Sequence, residues 1–302
     1  MSFDLYFAGI QALELDEYLS SKNAHRLFSY ADKPKKRLQM FNDCESKIFM
    51  DSGAFGVAHS GKQITIDEYI DFINETPRVT LFAALDVIPW PVLDTENARI
   101  SAEQSWENYI HMIERVNPEY KDKIVPTYHY GEDFKYLRRM LQGYEGYKPP
   151  YIAFGGRGGV HTDKLYGSLD TFFKVIKEER PDVKTHAFGI TVLKLLESYP
   201  FTSADSTSYL QTAVNGGIFL ECLNGRMIKI SNQTIKDTQH YKHKQQEVKD
   251  LIDKEIEKYG YTVEDLAESF RARFRFNIDY FLRWQKSYEY KPVKKVVRKK
   301  LF

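Results

Sequence analysis

Short apolar runs recur along the first two thirds of the chain, and most of them stop at an acid, a histidine or a glycine. Buried parallel strands that end in functional loops have this appearance. The stretch 47–56, Lys-Ile-Phe-Met-Asp-Ser-Gly-Ala-Phe-Gly, is the clearest case, with three apolar residues leading into Asp51 and small residues following at once. Comparable runs at 4–9, 79–86, 123–129, 151–156, 184–189 and 201–205 predict further strands, and an eighth is expected within 218–230. Between them the apolar spacing lengthens to that of helices. Thr65-Ile-Asp-Glu68 reads as a capping box opening a helix with Ile66, Tyr69, Ile70 and Ile73 on its apolar face. Trp106, Tyr109, Ile110 and Ile113 mark the next helix, and Phe134, Leu137, Met140 and Leu141 the one after. Others are expected around 169–176 and 192–197, and a polar one over 13–23.

Strand and helix thus alternate with short connections, the pattern of parallel β/α architecture. Seven or eight such units in about 230 residues favour an α/β fold closed as a (β/α)8 TIM-like barrel over an open sheet. The barrel domain is expected over residues 1–232. Its C-terminal strand ends would bring Asp51, Asp86, His129, Gly155, Phe188 and Asp205 to one mouth, whereas an open doubly wound sheet would spread them along an edge. From residue 233 the chain becomes polar and charged, which predicts a helical, basic C-terminal extension over 233–302. There Thr262 caps one long helix with Val263, Leu266, Phe270, Phe274, Ile278 and Phe281 along a face.

Composition narrows the function classes. The 302 residues carry a formal net charge of +1, so any nucleic-acid affinity has to come from local patches. Such patches exist at Arg271-Ala-Arg-Phe-Arg275 and in the tail from Lys291, which holds six basic residues, among them Lys294, Lys295 and Arg298, and no acid. Two cysteines far apart, Cys44 and Cys222, form no disulfide scaffold, and a cytoplasmic location is the simple expectation. The N-terminus lacks the basic and apolar regions of a signal peptide, and no apolar run has the length of a membrane span, so no membrane partner is expected.

Three acids at one barrel mouth suggest acid/base or covalent chemistry at a carbon bearing a leaving group, with divalent-metal binding as the competing use. Only His129, and His186 or His161, are at hand as further ligands, and a lone histidine of this kind more often packs or hydrogen-bonds than ligates. No metal is therefore expected.

These strand ends resemble, in order, the motifs of the tRNA-guanine transglycosylase superfamily. Met50-Asp-Ser-Gly-Ala-Phe-Gly56 looks like its Asp-Ser-Gly-Gly-Phe/Tyr-Gln motif. Phe82-Ala-Ala-Leu-Asp86 resembles the strand with the base-recognition aspartate, and Val125-Pro-Thr-Tyr-His-Tyr-Gly131, with Glu132-Asp133 and Leu137-Arg138, resembles its Val-Gln-Gly-Gly strand and Glu-Asp-Leu-Arg helix. Tyr151-Ile-Ala-Phe-Gly-Gly156, His186-Ala-Phe-Gly-Ile190, Ala204-Asp205-Ser206 and Asn224-Gly-Arg-Met-Ile-Lys-Ile230 match later segments. The resemblance implies Asp205 as nucleophile, Asp51 as general acid/base and Asp86 as reader of the base edge. It implies Phe55 and Phe188 as the two faces clamping a purine-like ring, with Ser52, Gly53, His129, Gly155, Gly156 and Gly189 around it.

Departures are equally informative. The motif glutamine is Gly56, the Gln-Gly pair is His129-Tyr130, and Arg157-Gly-Gly-Val-His161 replaces Leu-Ala-Val-Gly-Glu, so the base pocket is expected to be retuned. The family's zinc knuckle is absent, with only Cys222, His240 and His243 in that region, and no cofactor is expected. Loss of that region and the short length make the chain look like the DNA-modifying, DpdA-like branch of phages and bacteria. That branch implies exchange of guanine in DNA for a free 7-deazaguanine base such as preQ0. Alternatives are the same chemistry on tRNA, a non-catalytic partner subunit with the barrel alone, and an unrelated barrel hydrolase.

Overall fold

The computed structural model describes residues 3–9, 12–54, 64–88, 94–155, 160, 162–190 and 192–292. Nine short parallel strands form one sheet: β1 (Asp4–Phe7), β2 (Arg26–Ser29), β3 (Ile48–Asp51), β4 (Leu81–Ala83), β5 (Ile124–Val125), β6 (Thr127–His129), β7 (Tyr151–Gly155), β8 (Lys184–Ala187) and β9 (Ser203–Ser206). Their order is β5-β4-β3-β2-β1-β9-β8-β7-β6. β5 and β6 are halves of one strand divided by Pro126, which has no N–H for a ladder. β5 pairs with β4 and β6 with β7, so the two ends of the order meet across Pro126. The carbonyl of Pro126 still accepts the Ala153 N–H at 2.8 Å. The result is the TIM-like α/β barrel expected from the alternation.

The two-residue period of the strands sorts the side chains. Tyr6, Leu27, Phe49, Leu81, Ala83, Val125, Tyr151 and Ala153 pack together inside the barrel. Their neighbours Phe7, Phe28, Met50, Phe82, Ile124, Ile152, Ala187 and Ala204 face the surrounding helices. Those helices are α1 (Leu13–Ser21), α2 (Lys35–Leu38), α3 (Ile66–Asn74), α4 (Thr95–Arg115), α5 (Phe134–Gln142), α6 (Thr162–Glu179), α7 (Leu193–Ser198) and α8 (Ser208–Val214). Thr65 is the N-cap of α3 as expected, but its side chain makes no capping hydrogen bond, so the expected capping box is not formed.

Two expectations about the strands are corrected. The segment before Lys33 contains β2, which the apolar pattern did not predict. The strand opens on Arg26, buried at 1% exposure, whose Nε bonds Asp16 Oδ1 at 2.8 Å and whose Nη1 donates to the Phe7 carbonyl at 2.6 Å. A charged first residue, paired with an acid on α1, hides the strand from a hydrophobicity reading. Secondly, 218–230 supplies no barrel strand. It forms an antiparallel hairpin of β10 (Gly217–Leu220) and β11 (Arg226–Lys229). A link as short as 221–225 suits a hairpin, whereas a parallel neighbour requires a long crossover.

The hairpin's Ile218, Leu220, Ile228 and Ile230 share a core with Ile252 and Ile256 of α9 (Gln246–Lys258), Leu266 of α10 (Val263–Glu268) and Phe276 of α11 (Phe270–Lys286). α10 and α11 are two helices and not the single one expected. Ser269 lies between them in an extended conformation, and its hydroxyl accepts the Ala272 N–H at 3.2 Å. Asn277, fully buried, ties α11 to the rest: its carbonyl oxygen accepts from Phe219 N at 3.0 Å and its amide donates to Tyr209 O at 3.1 Å.

Candidate active site

Asp51 closes β3, two residues beyond the inward-facing Phe49, so it faces into the top of the barrel. Gly53 follows at φ +85°, where a Cβ would lie 2.6 Å from the Ala31 Cβ, so only glycine fits the turn. Its N–H donates to Asp51 Oδ2 at 3.1 Å. Asp86 lies just past β4, and His129 and Gly155 are the last residues of β6 and β7, paired in register. Gly155 leaves room at this level: a Cβ there would stand 2.9 Å from Thr127 Cγ2. Phe188 and Gly189 follow β8, and Asp205 lies in β9 opposite Tyr6.

Two of the three expected acids act on the third. Burial, then the charges of Asp86 and Asp205, push the Asp51 carboxyl up to about 7. Asp51 therefore holds its proton into the neutral range. Asp205 is anchored through Oδ1, which accepts the Gly189 N–H at 2.8 Å. Among the described residues nothing bonds its Oδ2.

Two histidines complete the mouth. His129, 1% exposed, stands between two carboxylates: Nε2 lies 2.8 Å from Asp86 Oδ2 and Nδ1 lies 2.8 Å from Glu132 Oε1. Glu132 Oε2 also accepts the His129 backbone N–H at 3.1 Å. Burial opposes charge on this ring, but Glu132 and Asp86 outweigh it and hold the imidazolium up to about 10. Among the described residues Asp86 Oδ1 has only a long bond from Ser52 Oγ, 3.3 Å. His186, fully buried, bonds Ser203 Oγ through Nδ1 at 2.7 Å, and Ser203 in turn bonds Tyr151 OH at 2.7 Å. Its Nε2 lies 3.4 Å from Asp205 Oδ1 without a formed hydrogen bond. Burial pushes this imidazole down, against the pull of Asp205, so it is neutral. Phe188 packs edge-on against His186, with ring centroids 4.5 Å apart.

Asp51, Ser52, Gly53, Asp86, His129, Gly155, Phe188, Gly189 and Asp205 thus gather at one end of the barrel, while Phe55 and Gly156 lie outside the described residues. Sequence reading assigned no role to Glu132, Ser203 or Tyr151. Two local signals were present: the His129-x-x-Glu132 spacing across the Gly131 turn, and Ser203 two residues before Asp205 on one strand face.

The basic residues behave differently from one another. Arg271 and Arg275 are exposed on α11; Arg271 pairs with Glu14 at 2.6 Å and Arg275 stacks over Tyr18 at 5.3 Å. Arg273, between them in sequence, is buried and donates to the carbonyls of Leu266 at 2.7 Å and Ala213 at 3.1 Å. It is therefore a structural clamp and not part of a phosphate-facing patch. Lys294, Lys295 and Arg298 lie outside the described residues. His240 and His243 bond the backbone carbonyls of Ser231 and Ile235, and the described residues contain no group of three or more metal-ligating side chains. Among the described residues no helix is long and apolar enough to cross a membrane.

Fold and site together define a TIM-like barrel with a carboxylate and histidine centre at the C-terminal ends of its strands, where barrel enzymes carry their chemistry. No protein-family model matches the chain, and no curated protein sequence matches it.

Proposed function

We propose that the chain is a guanine transglycosylase that acts on DNA and exchanges a guanine for a 7-deazaguanine such as preQ0. The observation that carries this reading is that Asp86 and Asp205 stand close enough to the buried Asp51 for their charges to help lift its carboxyl to about 7. A double displacement at a glycosidic carbon needs one ionised carboxylate and one that can hold a proton, in different environments. Asp205 Oδ2 attacks C1′ and forms a glycosyl ester as the C1′–N9 bond breaks. The departing guanine takes the proton of Asp51. The incoming base returns a proton to Asp51, attacks C1′ with the freed nitrogen and releases Asp205. Phe188 would support one face of the ring, as stacked aromatic pockets do for extruded bases.

The test offers radiolabelled guanine or preQ0 with duplex DNA, single-stranded DNA or tRNA. Incorporation into DNA and a covalent adduct trapped on DNA are expected, both lost in Asp205→Ala. Incorporation into tRNA alone would move the substrate to RNA. No exchange on any polymer would leave a non-catalytic barrel. An adduct undiminished in Asp205→Ala would remove that residue from its role.

A further inference from the structure

His129 is bonded at both ring nitrogens to carboxylate oxygens, each at 2.8 Å. A neutral imidazole has one N–H and one lone pair, so it could donate to only one of these acids. With both acids ionised, both bonds form together only if the ring carries two N–H groups. Glu132 is entirely buried and accepts a second hydrogen bond from the His129 backbone, so it cannot swing away from the ring. The other acid, Asp86, faces the mouth. Its Oδ2 is committed to His129, while among the described residues its Oδ1 has only the 3.3 Å contact with Ser52.

We infer that Glu132 and His129 are positioning residues: the doubly bonded ring fixes the Asp86 carboxylate and turns Oδ1 toward an N–H donor of the ligand. A bound ring with an amino or imide N–H on its edge displaces the long Ser52 contact and meets an acceptor already charged and oriented. The same arrangement excludes a ligand edge that presents a lone pair at that point, because it would face a carboxylate oxygen. This rests on the base-exchange reading for the identity of the ligand. The relay itself rests on the His129 geometry alone.

The groups around His129 explain why its charge is stable. Glu132 approaches from the turn after β6 and Asp86 from the loop after β4. β7 presents Gly155, which brings no side chain to the ring. Ser52, just past the end of β3, donates to Asp86 and not to the ring. With both acids in place the imidazolium persists up to about 10. Removing the charge of Glu132 takes away the largest contribution in its favour.

The experiment compares wild type with Glu132→Gln. The charge state of His129 is followed by NMR of its ring nitrogens, and affinity for free guanine or preQ0 by calorimetry, between about pH 6 and pH 9, the range across which an ordinary histidine deprotonates. In wild type the ring stays doubly protonated throughout. In Glu132→Gln it titrates within the window. The ratio of wild-type to variant affinity is expected to rise from about one at the acid end to about tenfold or more at the alkaline end. The ratio cancels titration of Asp51 and of the base itself. Should that variant fail to fold, His129→Gln is read instead: its affinity should be about tenfold below wild type at the acid end, where the wild-type ring is fully charged. A wild-type ring that titrates near the ordinary histidine value, a Glu132→Gln ring with unchanged titration, or wild-type affinity in His129→Gln would overturn the relay. Absence of any base binding to wild type would instead overturn the base-exchange reading, while the NMR titration still decides the relay.

Discussion

His129 and His186 occupy equivalent places in the barrel. Each points inward near a strand end, is fully or almost fully buried, and lies beside one of the mouth carboxylates. Their protonation states nevertheless differ. His129 has a second acid, Glu132, on its other nitrogen, and its imidazolium is held up to about 10. His186 has the hydroxyl of Ser203 there, and burial keeps the ring neutral. The partner of the second ring nitrogen therefore decides the charge, because one carboxylate alone does not outweigh desolvation at this depth. The consequence is functional. Asp86 is paired with a cation, whereas Asp205 faces a neutral ring and keeps an oxygen unbonded among the described residues.

Replacing the charged ring should have the largest effect. His129→Leu leaves Glu132 buried opposite Asp86 with no cation between them, and breaking a buried ionic pair in this way costs about 3–5 kcal/mol. Urea unfolding near neutral pH measures it, and a loss no larger than that of an ordinary neutral hydrogen bond would mean that the ring is not charged. Asp51→Asn should change stability in the other direction. The folded chain keeps a proton on Asp51, at about 7, that the unfolded chain gives up near its ordinary value of 3.8. Wild type therefore loses stability as pH rises through that interval. The variant should be more stable above it, by on the order of 1–3 kcal/mol, with the gain vanishing on acidification.

Smaller effects separate the two histidines by pH. His129 contributes stability that is complete below the unfolded histidine value of 6.5 and is lost as pH climbs to about 10. Alkaline thermal scans should show this decline in wild type and not in His129→Leu. His186 has the opposite sign: its folded value is depressed, so wild type loses stability as pH falls below 6.5. His186→Leu should cost about 1–2 kcal/mol near neutrality, through the lost Ser203 bond, and should remove that acid-side decline. Ser203→Ala loses the neutral bonds to both His186 and Tyr151 and should cost a similar amount, about 1–2 kcal/mol, while keeping the acid-side decline that His186 imposes. Loss of the alkaline decline in Ser203→Ala, as in His129→Leu, would erase the distinction between the two sites.

Much of the mouth was legible in the chain because each strand is an apolar run terminated by the residue that matters. Asp51, Asp86, His129, Gly155 and Asp205 could be placed by position alone, since a parallel barrel brings successive strand ends to one face. β2 was illegible because its first residue, Arg26, is an arginine neutralised by Asp16 from a neighbouring helix. The hairpin at 217–229 was mistaken for a barrel strand because apolar alternation does not tell which sheet a strand joins. Arg273 looked like a member of a basic patch, and its burial follows from the carbonyls that α8 and α10 offer it.

By itself the sequence determined the alternation of strand and helix, and with it which acids end at the same mouth. Both follow from local periodicity and chain order. Only the tertiary structure decided the protonation of those groups. The proton on Asp51, the charge on His129 and the neutrality of His186 depend on side chains brought together from several strands and loops. Electrostatic energy in a low-dielectric interior is set by distance in space, and the order of residues along the chain does not encode it.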